Sequence, residues 1–270
     1  MYEATSFIQL MSNLAYDLIN NPDYVCKPRD QKIFELINCN IKIKSPVLEV
    51  WQNIESRKFP VNYLRKELYA YYAGINDAEY FEKISSMWGK IKTKHNTINS
   101  AYGYIIFKQK INNAPFTQYE WVRNSLIADK DSRQAVMFVS DPQYQYLNNK
   151  DFVCTLNYHF LIRDNKLNMI VTRRSQDIHY GLSFDLPWEV SLMHVLCDDL
   201  RTTYPDLEVG DYHLNCGSLH LYERNLKTYQ NLLTEIERQI IEEKRMILPV
   251  LNKDIFRDIE AGIITDRNII

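Results

Sequence analysis

DFVCTLNYHFLIRDNKLNMIVTRRSQD, residues 151–177, holds two β-rich runs around one polar pair. The runs are 152–163 and 166–174, and Asp164-Asn165 between them tolerates the positive φ of a two-residue turn. The spacing predicts a hairpin that sets Cys154 opposite Ser175 and Thr155 opposite Arg174. A thiol beside cations loses its proton more readily and becomes a nucleophile. Alternatively, Cys154 is a buried strand cysteine and the arginines form a solvated rim. A regular ladder points Arg174 away from the Cys154 face, so a bulge must re-aim one of them if both serve one pocket.

Around this hairpin the periodicity is mixed. Phe7, Leu10, Met11, Leu14 and Leu18 recur at helical spacing and predict a helix over 5–20. Residues 21–32 are polar and read as a loop, and 33–43 as a strand. Helices are predicted over 61–73 and 77–88, separated by Gly74 and Asn76, and over 117–128. Residues 135–139 read as a buried strand. Downstream, Pro187 is expected to open a helix through Leu200. Residues 228–248 are predicted to form a charged amphipathic helix stopped by Pro249. There is no repeat, low-complexity tract or linker, so 1–270 is expected to form one domain of mixed α and β structure.

Composition removes several function classes. The chain carries 32 Lys+Arg against 34 Asp+Glu, a net charge of −2, without the basic excess of a nucleic-acid scaffold. No direct nucleic-acid binding is expected. No apolar run approaches the ~20 residues that span a bilayer, and MYEATSFIQL lacks the pattern of a secretory leader. Membrane association is not expected, and the location is expected to be cytoplasmic. The 5 cysteines have no CxxC spacing, which speaks against a disulfide framework or zinc site, and no metal is expected. The P-loop, GxGxxG and HExxH signatures are absent.

Other residues could carry chemistry. Asp131-Ser132-Arg133 is either a loop or an anion contact. His220 and Tyr222, two apart on a strand, share a face and can act together, though such a pair is often structural. Glu67, in YLRKELYAYY, is either a surface ion-pair partner or a partly buried acid able to move protons.

These segments occur in a telling order: RKELYAYY at 65–72, INSAYG at 98–103, DSR at 131–133, FVCT at 152–155, RSQD at 174–177, GLSFD at 181–185 and GSLHLY at 217–222. Together they resemble the thymidylate synthase superfamily, and within it the bacteriophage deoxycytidylate (dCMP) hydroxymethylase branch. The threonine after Cys154 and the serine at Ser218 are similar to that branch. The resemblance implies an α+β, thymidylate synthase-type fold, a mixed bulged β-sheet covered by helices and dimerising through the sheet. It implies a homodimer with shared active sites, a pyrimidine nucleotide substrate and 5,10-methylenetetrahydrofolate.

Residue roles follow from the same resemblance. Cys154 would add to C6 of the pyrimidine. Glu67 would organise water and proton transfers, with Tyr102 and Asp177 on the same side. Trp88 and Asp177 would meet the folate. Arg174 and Ser175 would bind the 5′-phosphate, with Arg133 reaching it from the other subunit. His220 and Tyr222 would hold the sugar hydroxyl. Asp185 stands where thymidylate synthases carry asparagine; a carboxylate accepts from cytosine N4, can share a proton with N3, and mismatches uracil.

The sequence also departs from the family. Gln134 follows Arg133 where a second arginine is usual, and Arg173 is the candidate replacement. Lys27 and Arg29 both compete for the N-terminal phosphate contact. Residues 223–270 are not explained by the motifs. The implied activity is dCMP 5-hydroxymethylation for modified phage DNA. Rivals are thymidylate synthase, another C5-methylase or hydroxymethylase acting on dUMP or CMP, or a non-catalytic nucleotide-binding protein. Cys154, Glu67 and Asp177 together speak against the last.

Overall fold

The computed structural model describes residues 1–51, 57–112, 114–237 and 245–270. In chain order the elements are β1 (Tyr2–Ala4), α1 (Phe7–Asn20), β2 (Tyr24–Cys26), β3 (Ile33–Ile43), β4 (Glu49–Trp51), α2 (Val61–Ala73), α3 (Ala78–Ile84), α4 (Met87–Ile91), α5 (Tyr102–Phe107) and α6 (Gln118–Ala128). They continue with β5 (Val136–Phe138), β6 (Thr155–Arg163), β7 (Lys166–Asp177), α7 (Leu182–Leu200), β8 (Glu208–Tyr222), α8 (Leu226–Glu237), β9 (Arg245–Ile247) and α9 (Ile255–Glu260). The chain is α+β, and it divides into two compact units.

The first unit comprises 1–59, 168–193 and 209–250. Its strands run in the order β1-β3-β8-β7, with β2 also on β3 and β4 paired to β9. β1 is parallel to β3, whereas β2 and β8 are antiparallel to it, so the sheet is mixed. α1 covers β1 and β3 with Phe7, Leu10, Met11, Leu14 and Leu18, the face its period predicts. Ser6 caps this helix by accepting from the Gln9 amide. In β3, Asn38 takes φ 52° opposite Gly217, interrupting the ladder between Ile37↔Ser218 and Cys39↔Cys216 without shifting its register.

The second unit comprises 60–167, 194–208 and 251–270. α2 packs against α3, α5 and α9, and α6 packs on β5 and β6. Asp164 and Asn165 both have positive φ, 48° and 58°, as the two-residue turn between β6 and β7 requires. Gly103 lies so close to α2 that an added Cβ would stand 1.8 Å from the Tyr71 carbonyl oxygen.

Several sequence expectations need correction. β6 begins at Thr155 rather than at Phe152, so Cys154 sits at a bend before the strand. α7 begins at Leu182, with Pro187 inside it. Its first turn is set instead by Gly181, whose carbonyl accepts from Phe184 and Asp185. The helix expected over 77–88 breaks at Ser85-Ser86 into α3 and α4. The segment 21–32 contains β2, which pairs with β3. The strand expected as buried around 135–139 is buried on one face only, with Phe138 65% exposed. The helix expected over 228–248 ends differently: α8 is helical to Glu237, 245–247 is strand β9, and 238–244 lies outside the described residues. Pairing to β4 overrides the helical period there.

Alanine normally stabilises a helix relative to glycine by ~0.5–1 kcal/mol. At Gly103 the sign should reverse, because the methyl group has only backbone to displace. Gly103→Ala is expected to lower stability by ~1–3 kcal/mol or more, measured as a shift of the urea midpoint at unchanged slope.

Candidate active site

The first unit carries a buried ionic cluster at the end of β7. Arg173 points inward and is 2% exposed. Its Nη1 donates to Asp185 Oδ2 at 2.7 Å and its Nη2 to Glu189 Oε1. Asp185 and Glu189 lie four residues apart on α7, so one helix face presents both carboxylates. The Tyr212 hydroxyl of β8 donates to Glu189 Oε2 at 2.6 Å. Burial pushes the Glu189 carboxyl upward, against the pull of Arg173. Gln176 Nε2 adds a second donor to Asp185 Oδ2, at 3.0 Å. Asp185 Oδ1 accepts from no described residue, and the side chain keeps 18% of its exposure. Gly181 makes this possible, since a Cβ there would stand 2.4 Å from Gln176 Nε2.

A second cluster surrounds Asp177, at the last residue of β7. Its Oδ1 accepts from the His179 amide at 3.0 Å and its Oδ2 from the Tyr180 amide at 3.1 Å. Burial raises its pKa despite these bonds, with the neighbouring His220 and Arg224 opposing the rise. Burial likewise lowers the pKa of His220, with Asp177 pulling the other way. His220 meets Tyr222 edge to face at 5.1 Å, and the Arg224 guanidinium lies 4.0 Å over the Tyr222 ring. The shared strand face of His220 and Tyr222 is thus real. Ser218, on the same face, donates to Glu35 of β3.

A third group fixes the loop behind Asp177. The buried Arg57 donates to Ser183 Oγ at 3.0 Å, to the Tyr229 hydroxyl at 3.2 Å and to the His179 carbonyl at 2.6 Å. His179 Nδ1 is buried without a hydrogen-bond partner among the described residues. Burial pushes this imidazole down to about 3, with Arg57 and Arg224 adding to the effect.

The second unit holds the other sequence-predicted residues. Tyr63, Glu67 and Tyr71 recur every four residues on α2, and Tyr63 donates to the buried Glu67 carboxylate at 3.0 Å. Tyr71 contacts Tyr102 at 5.6 Å and Phe81 at 6.4 Å, and Phe81 contacts Trp88 at 5.0 Å. Tyr102 and Trp88 therefore belong to one aromatic chain. The Trp88 Nε1–H is buried without an acceptor among the described residues. The loop before Cys154 is stapled to the loop before Tyr102, because Asp151 Oδ2 accepts from the Ser100 amide at 2.9 Å. Cys154 itself is half-buried, and Arg133 is exposed.

Arg174 and Ser175 are partly exposed on β7, and Lys27 and Arg29 are exposed. Arg173 is not the extra phosphate contact the sequence offered, since its guanidinium is spent on two carboxylates inside the unit. Sequence reasoning missed Glu189, Gln176, Arg57 and His179. An acid inside the apolar run LPWEVSLM was the available signal, because a buried carboxylate needs a cation or donor nearby.

Comparison with known proteins places the chain in a family. The family model for thymidylate synthase matches residues 45–263. The chain belongs to the thymidylate synthase family. It is accordingly an enzyme, a folate-dependent one-carbon transferase acting on pyrimidine nucleotides. It is 28% identical over 214 residues to the deoxycytidylate 5-hydroxymethyltransferase of Enterobacteria phage T6, covering 77% of this chain and 82% of the relative. It is 27% identical to the deoxyuridylate hydroxymethyltransferase of Bacillus phage SP01, covering 79% of this chain and 56% of that protein. The thermostable thymidylate synthase A from Bacillus subtilis shares the fold, with a TM-score of 0.67 at 18% identity over 94% of this chain and 92% of that one. No helix among the described residues is long and apolar enough to cross a membrane.

His179 generates a prediction of its own. An imidazole held neutral when folded but basic when unfolded weakens the fold as pH drops below its ordinary 6.5 toward about 3. The unfolded state takes up the proton first, so stability rises with pH through this window. His179→Phe should flatten that acid limb, removing ~1–2 kcal/mol of the loss between about pH 7 and 5, read from urea midpoints.

Proposed function

We propose that the chain is a deoxycytidylate 5-hydroxymethyltransferase, converting dCMP, 5,10-methylenetetrahydrofolate and water to 5-hydroxymethyl-dCMP and tetrahydrofolate. The observation that carries this is Asp185, a carboxylate held by two donors on one oxygen, whose other oxygen accepts from no described residue on a side chain that stays 18% exposed. An acceptor suits the exocyclic amine of cytosine and opposes the O4 of uracil. The names of the T6 and T4 relatives support the same substrate. The deoxyuridylate enzyme of SP01 defines the alternative, which Asp185 disfavours.

Each residue then has a task. Cys154 would add through sulfur to C6 of the base, making C5 nucleophilic. Arg174 and Ser175 would bind the 5′-phosphate, and His220 with Tyr222 the sugar hydroxyl. Glu67, held by Tyr63, would order the water and move its protons, assisted by Tyr102, whose ring meets Tyr71 one turn further along α2. Bound methylenetetrahydrofolate would supply the one-carbon unit that C5 receives. The residues present fit such a group: Asp177 offers acceptor oxygens to pterin N–H groups, and Trp88 offers a flat wall and an unused indole N–H. Arg133, exposed on its own chain, would serve the phosphate of the partner subunit in a homodimer.

Product mass tests the reaction, because CH₂OH and CH₃ differ on the same nucleotide. Asp185→Asn should shift kcat/KM from dCMP toward dUMP by roughly ten- to a hundredfold, the worth of a mismatched buried polar pair of ~1–3 kcal/mol. A wild type that already prefers dUMP sinks the cytosine assignment. Mixing an Arg133→Ala chain with a Cys154→Ala chain should restore activity through hybrid dimers in which one site is whole. No recovery under demonstrated subunit exchange counts against the shared site.

A further inference from the structure

Taking Asp177 as a residue that meets the folate, we infer that Arg57 and Tyr229 are positioning residues that aim its carboxylate through the two peptide units following it in the chain. A peptide unit is planar, with its C=O and N–H pointing opposite ways, so a group that holds the carbonyl also fixes where the amide points. Asp177 is partly exposed and accepts one bond on each oxygen. Oδ1 takes the His179 N–H at 3.0 Å and Oδ2 the Tyr180 N–H at 3.1 Å. These N–H groups belong to successive peptide units, 178–179 and 179–180.

The carbonyl ends of the same two units are both held. The Ile178 carbonyl accepts from Ser183 Oγ at 3.1 Å and from the Tyr229 hydroxyl at 3.2 Å. The His179 carbonyl accepts from Arg57 Nη2 at 2.6 Å. Arg57 Nη1 donates to both hydroxyls, at 3.0 and 3.2 Å, which turns their own hydrogens toward Ile178. A cationic donor on a carbonyl also polarises the peptide and strengthens the N–H at its other end. Turning the Asp177 carboxylate would therefore break two amide bonds whose donors cannot follow it. The remaining lone pair on each oxygen is left for a ligand. Arg57 and Tyr229 are buried and touch no substrate in this scheme. Tyr229 lies on α8, a stretch that no sequence motif explains, and α8 thereby has a part in the reaction.

The test is equilibrium binding to a Cys154→Ser protein, in which nothing turns over, first of dCMP alone and then of methylenetetrahydrofolate to the dCMP complex. Arg57→Gln should weaken folate binding about tenfold and Tyr229→Phe about threefold, with dCMP binding within about twofold of the parent. Neither substitution should weaken folate binding further once Asp177→Ala has removed the carboxylate they aim. A merely structural role predicts that both ligands weaken by one common factor, or that the folate effect persists without the Asp177 carboxylate, and either result overturns the inference. So does folate binding left unchanged by both variants while Asp177→Ala weakens it, a result that leaves the assignment of Asp177 intact. If Asp177→Ala itself does not weaken folate binding, that assignment falls and the inference with it. If Arg57→Gln does not fold, Tyr229→Phe decides alone, because it removes one hydroxyl and leaves Ser183 on the Ile178 carbonyl.

Discussion

A guanidinium removed from water is costly unless carboxylates and hydrogen bonds surround it. Arg173 imposes that condition on everything near it. It requires β7 to turn this side chain inward while the adjacent Arg174 stays partly exposed. It requires α7 to bring Asp185 and Glu189 to one face, and β8 to supply the Tyr212 hydroxyl. Gly181 lets the helix begin close enough for Gln176 to join. Two strands and a helix are thus tied to a single charge. Replacing such a cluster by apolar side chains can leave stability unchanged or higher, whereas removing one member strands a buried charge.

The motif RRSQD shows how densely one strand end can be used. Arg173 and Gln176 point into the ionic cluster, Arg174 and Ser175 remain accessible, and Asp177 closes the strand by accepting two backbone amides. Alternation along a β-strand separates the first two arginines onto opposite faces. Neighbouring residues of the same type therefore have unrelated roles.

What could be read in advance was local. The apolar period of α1 and α2, the run forming β3 and the Asp164-Asn165 turn need only neighbours in sequence, and all are where periodicity and turn chemistry put them. The shared face of His220 and Tyr222 follows from the strand period and was equally legible. The misjudged features were set by distant partners. Pro187 suits a helix start, but the Gly181 carbonyl had already begun α7. Residues 245–247 fit a helical pattern, but β4 offered a ladder. Arg173 was offered in place of the second arginine missing at Gln134, but its partners, Asp185 and Glu189, lie twelve and sixteen residues on. Strand alternation and one acid in an apolar helix would together have signalled the pair.

The spacing of Tyr63, Glu67 and Tyr71 on α2 also bears on how this chain can change length over time. Each residue inserted into a helix rotates everything beyond it by ~100° about the axis. An insertion between Tyr63 and Glu67 would separate donor from acceptor, and one between Glu67 and Tyr71 would turn either the acid or the aromatic chain out of its packing. Substitutions can accumulate on the outer face of α2, but its residue count cannot drift. The exposed segment around 145–148 has no such helical phase to preserve. Length variation among descendants of this sequence should therefore collect in loops of that kind and spare α2.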